Sequence, residues 1–227
     1  MSTKSQPLFD VEKSIRESQK RNERVCWYAL NVTPNHEFRL WEYYTGKQFP
    51  YRRHTVRKDA NGKKLPPIKM DPVIEAFVPY RLQKRVWSDR VKTIPVVQSP
   101  GMIFVRMAMK NRDKIFYDHY VQSFVYDKAR RFLTIIPDDE MNSFIKVVED
   151  SEDSYITTPI AGNKVQIIRG KFEGLVGEVI RNDGKLRFQI RVTSLIAVSM
   201  SIAAEDIVVV PEYTESILPD ISYNQIK

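Results

Sequence analysis

Few side chains in this sequence have the types and spacing that chemistry uses. Asp138 and Asp139 are adjacent carboxylates, the raw material of paired acid–base catalysis. They follow Pro137 and precede Glu140, and three acids after a proline suit the positive end of a helix more simply. His36, His54 and His119 share no metal-ligand spacing, and His36-Glu37 is not continued to a second histidine four residues on. Cys26 is the only cysteine, which excludes CxxC chemistry, an intrachain disulfide and a cysteine-rich zinc site. Gly170, Gly174 and Gly177 match neither a phosphate-cradling loop nor a dinucleotide fingerprint, and no GxSxG is present. The chain reads as a protein that is not an enzyme, with no cofactor and no metal.

Binding features are richer. The formal net charge is +8, and residues 45–70 hold nearly all of the excess. Lys47, Arg52, Arg53, Arg57, Lys58, Lys63, Lys64 and Lys69 stand there against the single acid Asp59. Such a segment attracts a polyanion at long range, although solvated loops are also lysine-rich. His36 and Arg39 near the start of a helix, and Lys110, Arg112 and Lys114 after a strand, have the chemistry to meet phosphates. Trp27, Tyr28, Met102 and Phe104 lie on two strands, where large apolar residues either build a core or form a docking patch on an outer face. Leu195 stands out of phase with its neighbours at a loop tip, the place for an apolar anchor.

The elements that must position these residues divide the chain in two. Residues 1–24 form a polar extension without the apolar stretch of a secretory signal. Val25–Val32 is an apolar run that predicts a buried strand, and Phe38, Trp41 and Tyr44 recur at helical spacing after Pro34. The basic segment 45–70 contains Gly46, Pro50, Gly62, Pro66 and Pro67 and reads as an irregular insertion. Extended segments follow over 74–86 and 91–97, turning through Trp87-Ser88-Asp89-Arg90, and another strand follows over 102–107. Residues 111–119 read as helical, 124–136 as a hairpin, and Pro137 opens a last helix that ends near Val148. Residues 149–159, acidic and then threonine-rich, read as a linker. Beyond it, short strands over 164–169, 176–182, 186–192, 196–202 and 207–210 each carry one apolar face, with a tight turn at Asp183-Gly184. Leu186, Phe188, Ile190 and Val192 alternate with Arg187, Gln189 and Arg191. Five such strands bury their faces by curling into a closed or nearly closed barrel over 160–211, followed by a tail over 212–227.

Read together, these segments resemble a known family. Cys26-Trp27-Tyr28-Ala29-Leu30 with Glu37-Phe38-Arg39-Leu40 resembles the start of the NusG N-terminal (NGN) domain. Ala76-Phe77-Val78-Pro79, Trp87-Ser88-Asp89-Arg90 and Ser99-Pro100-Gly101-Met102-Ile103-Phe104-Val105 look like the second half of its sheet. Gly162-Asn163-Lys164-Val165 through Gly170-Lys171-Phe172-Glu173-Gly174-Leu175-Val176-Gly177 resembles a KOW motif. The Trp-Ser-Asp-Arg turn looks most like specialised, antiterminator-type paralogues of the UpxY sort, which act on polysaccharide operons. The long basic insertion, Met102 after Gly101, and Leu195 at the KOW tip depart from the housekeeping pattern.

The resemblance implies an α+β fold: an NGN domain over 25–148 with an antiparallel sheet and flanking helices, then an SH3-like KOW barrel over 160–211. It implies a transcription elongation factor that binds the RNA polymerase clamp and non-template DNA to suppress pausing or termination. Carried over by position, the polymerase-binding patch would be Trp27, Tyr28, Pro100, Met102 and Phe104. Arg39 would face DNA, with His36, Arg52, Arg53, Lys63, Lys64, Lys110 and Arg112 as further nucleic-acid contacts. Leu195 and Ile196 would meet a ribosomal protein or a termination factor. A ribosome-associated KOW protein that binds RNA through Arg187, Gln189 and Arg191 is the alternative. A lone cysteine and no apolar run long enough to span a membrane suit the cytoplasm.

Overall fold

The computed structural model describes residues 16–20, 22–51, 61, 74–116, 119–127, 132–182, 184–193 and 196–210. Most of the basic insertion, with Arg52, Arg53, Lys63 and Lys64, lies outside the described residues, as do Leu195 and Asp183.

The apolar run Val25–Val32 forms β1, the centre of the N-terminal sheet. It pairs antiparallel with β5 (Met102–Ala108) along seven residue pairs, from Val25 opposite Ala108 to Asn31 opposite Met102. β2 (Glu75–Phe77) extends the sheet beyond β5, and β6 (Val121–Phe124) flanks β1 on the other side. The helix α1 (Glu37–Thr45) covers one face, burying Leu40 and Tyr44, and stops at Gly46 in the left-handed region with φ 66°. β3 (Tyr80–Val86) and β4 (Val91–Val97) pair only with each other and form a separate two-stranded ribbon. The predicted helix over 111–119 is a single turn, α2 (Arg112–Ile115), in the described residues. The predicted hairpin is present as a two-residue ladder between β7 (Tyr126–Asp127) and β8 (Phe132–Leu133), after which β9 (Ile135–Ile136) returns to β1.

Pro137 caps α3 (Asp138–Asp150), whose first turn holds Asp138, Asp139 and Glu140. Its apolar side buries Met141, Phe144, Val147 and Val148. Asp138 is an anchor in this setting: Arg106 donates to both its carboxylate oxygens at 3.2 Å and to Glu75 Oε1 at 2.9 Å. One guanidinium thus pins β5, β2 and the start of α3 together.

The segment read as a linker is not free. Residues 155–157 form β10 (Tyr155–Thr157), which pairs with β14 (Ala197–Ser201). Its three residues carry no apolar periodicity, so only the open edge of β14 could reveal it. The C-terminal sheet continues through β13 (Lys185–Arg191), β12 (Val176–Asn182), β11 (Asn163–Ile167) and β15 (Ile207–Val209), in the order β10-β14-β13-β12-β11-β15. Of the closed or nearly closed barrel that was expected, the structure shows an open path: among the described residues no ladder joins β10 to β15. Gly177 in β12 sits where a Cβ would lie 2.5 Å from Gln189 O and 2.6 Å from the Phe188 ring, so only a bare backbone lets β12 and β13 close here.

Two cores result, one on each face of the N-terminal sheet. Tyr28, Leu30, Leu40, Tyr44, Ile103 and Val105 pack beneath α1. Trp27, Ala29, Met102 and Phe104 face the other way and pack against α3. That second core runs on without a break into Phe188, Ile190, Val198 and Met200 of the C-terminal sheet. Helix α3 touches β1 on one side and β13 and β14 on the other, so both halves of the chain share one apolar interior.

Candidate nucleic-acid interface

The end of the N-terminal sheet where β1 finishes and β5 begins gathers the chemistry. Ser99-Pro100-Gly101-Met102 makes a tight turn there, closed by Met102 N–H donating to Ser99 O at 3.2 Å. Proline presets the first corner, and Gly101 adopts φ 82° at the second, a value that strains any side chain. Glu37, only 1% exposed, accepts from Gly101 N–H through Oε1 at 2.7 Å. The first residue of α1 thereby fixes the turn, and Val32 N–H donates to Gly101 O at 2.9 Å from the opposite side.

Beside this turn four side chains stack. The His36 ring lies 3.7 Å from the Tyr120 ring at an interplanar angle of 21°, and His119 lies 4.0 Å from Tyr120. The exposed Arg39 guanidinium sits 4.7 Å above the Tyr120 centroid, within cation–π distance. Thr33 N–H donates to Tyr120 O at 2.8 Å, which holds the start of β6 against the end of β1. The group brings an aromatic ring, two imidazole rings and a guanidinium together. Such a combination has the chemistry to meet a nucleobase face and a phosphate.

The structure distributes the predicted site residues unequally. His36 and Arg39 both lie against Tyr120. Tyr120 and His119 complete their group and were missed, although an adjacent His-Tyr pair before a strand was the available signal. Lys110 and Arg112 are exposed but follow the opposite end of β5, where Tyr44 donates to Ile115 O at 3.1 Å. Arg112 there lies 5.6 Å from the Phe116 ring.

The apolar patch residues are arranged differently from an open docking surface. Pro100 is exposed at its turn. Trp27 (6% exposed), Met102 (9%) and Phe104 (0%) lie in the core under α3, whereas Tyr28 lies in the core under α1. Strand alternation is the reason: neighbours 27 and 28 point to opposite faces and cannot share one patch. Burial, with Cys26 adding to it, pushes the Tyr28 phenol up to about 12.

Ile196 is buried in the shared core, with its N–H donating to Thr193 Oγ1 at 3.1 Å and its carbonyl accepting from Val192 N–H at 3.0 Å. The expected exposure of Arg187, Gln189 and Arg191 holds for Arg191, is partial for Arg187 and is corrected for Gln189. Gln189 is fully buried, bonded to Ile160 O and donating to Glu178 Oε2 at 3.0 Å. Arg187 donates to Ser199 Oγ and Ser201 Oγ at 3.2 Å and stacks 4.5 Å above Tyr155. Arg191 donates to Glu178 Oε2 at 3.0 Å. These groups serve the strand β10 and the segment around Ile160 that lie over them, which leaves little of this face to contact RNA.

No group of three or more metal-ligating side chains occurs among the described residues, and none of their helices is long and apolar enough to cross a membrane. The fold is of mixed α/β architecture with antiparallel sheets. A family model described as "Transcription termination factor nusG" matches residues 25–145, and the chain belongs to that family, whose members are non-enzymatic and interact with RNA polymerase. No curated protein matches the sequence. Among solved structures, the chain is similar to one reported as "Domain interaction in Thermotoga maritima NusG". The likeness has 18% identity and a TM-score of 0.44, and covers 82% of this chain and 97% of that one.

Proposed function

We propose that this chain is a transcription elongation factor that binds the RNA polymerase clamp and non-template DNA and suppresses pausing or termination. The observation that carries the DNA half is the Arg39–Tyr120–His36 stack, a charged π platform at one end of the sheet. An unpaired base stacks on such a surface while the guanidinium takes a phosphate. The polymerase half rests on the apolar face holding Trp27, Met102 and Phe104 together with α3. Those three residues lie under α3, so polymerase meets the outer side of α3, which it reaches only by displacing the C-terminal sheet packed there, and binding and release of this sheet are coupled.

The C-terminal sheet is proposed to be the KOW module. The order β14-β13-β12-β11-β15, with β15 returning beside β11, supports an SH3-like reading. So does the glycine-rich stretch from Gly162 to Gly177. Its partner is a ribosomal protein or a termination factor. A specialised role on a polysaccharide operon, in the manner of the UpxY-type paralogues, rests on the Trp87–Arg90 turn. The basic insertion with Arg52, Arg53, Lys63 and Lys64 adds DNA contacts, and the site of action is the cytoplasm.

In vitro transcription with purified core polymerase on pausing and terminating templates tests the reading. The wild-type chain shortens pauses or raises read-through, and R39A loses most of that effect while unfolding like the wild type. Unchanged pausing and termination at saturating wild-type protein would refute it. Truncating Met102 or Phe104 is an unsuitable control, because both are core residues.

A further inference from the structure

The ribbon of β3 and β4 is held firmly at its base and left bare at its tip. At the base, Tyr80 packs 4.9 Å from the Phe49 ring, and Arg81 donates to Ser151 O at 2.9 Å and Ser154 Oγ at 2.8 Å. Gln98 N–H closes the base onto Pro79 O at 2.8 Å. Beyond this the ribbon packs on no other sheet. At the tip, Trp87 N–H donates to Arg90 O at 2.8 Å, and the Trp87 side chain is 52% exposed.

Its charge is one-sided. The ribbon holds Arg81, Lys84, Arg85, Arg90 and Lys92 against the single carboxylate Asp89. Arg85 stands directly opposite Lys92. A like-charged pair facing across an antiparallel ladder opposes folding, and among the described residues neither cation has an ion-pair partner. A fold that leaves two cations face to face on a projecting arm invites a polyanion between them. Along the same strand face, two residues on, Trp87 presents its ring with Arg90 5.5 Å from its centroid. Two residues of strand span about 7 Å, a spacing that sets a phosphate contact beside a base-sized stacking surface. Pro95 in β4 lacks an amide donor, which disfavours adding a strand from a protein partner.

We propose that this ribbon is a second nucleic-acid site that grips an unpaired DNA strand, with Arg85 and Lys92 on its phosphates and Trp87 stacked on a base. The inference rests on the transcription reading for the source of such a strand. Duplex DNA is disfavoured because its paired bases offer no free face to Trp87.

The test is anisotropy of a labelled 12-nucleotide single-stranded DNA titrated with the full chain, alongside the same-length duplex and RNA, with tryptophan emission read in parallel. Trp27 is buried and Trp41 donates its indole N–H to Ala76 O at 2.8 Å, so quenching reports Trp87. The expected result is tighter binding of the single-stranded DNA with quenching. W87A then weakens binding about 5- to 150-fold, and R85A/K92A lowers the slope of log K against log salt by about 1.4. Because Arg85 and Trp87 are exposed and Lys92 is only half-buried, thermal midpoints stay near wild type, and W87F, which keeps a stacking ring, restores most of the affinity. Equal or tighter binding of duplex or RNA, absent quenching, or wild-type affinity in both variants overturns the proposal. If R39A alone loses DNA binding while the ribbon variants keep it, the ribbon inference fails and the functional reading stands. If the wild-type chain leaves transcription unchanged yet the ribbon variants lose DNA binding, the reverse holds.

Discussion

Helix α3 joins the two halves of the chain, and Phe144 at its centre gives the most direct measure of that joint. Phe144 is fully buried, with its ring 5.3 Å from Phe104 and 6.2 Å from Phe77. Truncation to alanine removes a whole ring from the core shared by the two sheets. Deletions of this kind cost about 3–5 kcal/mol. For a chain of this length each kcal/mol lowers the midpoint by about 2–4 °C, so F144A should melt roughly 6–20 °C lower. Calorimetry gives the midpoint. Tryptophan emission follows the N-terminal half, since Trp27, Trp41 and Trp87 all lie there, and far-ultraviolet dichroism follows the whole. If the core is shared, both probes move together in F144A and remain coincident in the wild type. A loss below about 1 kcal/mol, or wild-type melting in two separate steps, would show that α3 does not join the two sheets.

Other substitutions probe single contacts. G177A forces a Cβ against backbone at 2.5 Å and should cost about 1–3 kcal/mol in urea unfolding, with unchanged slope. G101A meets an ordinary contact at 3.4 Å but must hold φ 82°, so about 1–2 kcal/mol is expected from backbone strain, with weaker binding at the neighbouring stack. Although burial pushes it upward, the Asp153 carboxyl is held below its usual value by Ser201 N–H at 2.9 Å, by Ser151 and by Arg187. A lowered folded pKa stabilises the protein above the unfolded value and loses that contribution as pH falls through the folded one. D153N should therefore flatten the stability profile below about pH 4.

Much of the fold was legible because its patterns are local. The run Val25–Val32 is a strand with those bounds, and the alternation at Phe188, Ile190 and Val192 is buried as read. The turn at Trp87 and the helix opened by Pro137 also follow from short-range chemistry. What escaped depends on contacts distant in sequence. Gln189 looked solvent-facing because nothing near it announces that the segment around Ile160 will cover it. Tyr120 gained its role from Arg39, some eighty residues earlier. Trp27 and Tyr28 were placed in one patch by the family resemblance, where the strand period turns them to opposite faces.

Only four residues, 151–154, lie between α3 and β10. So short a tether keeps the C-terminal sheet at a local concentration on the order of millimolar or higher around α3. Any competitor for that surface is measured against this concentration rather than against its own affinity alone. Occupancy would thus depend on how much of its partner is presented nearby, and lengthening the tether would sensitise the protein without altering a single contact.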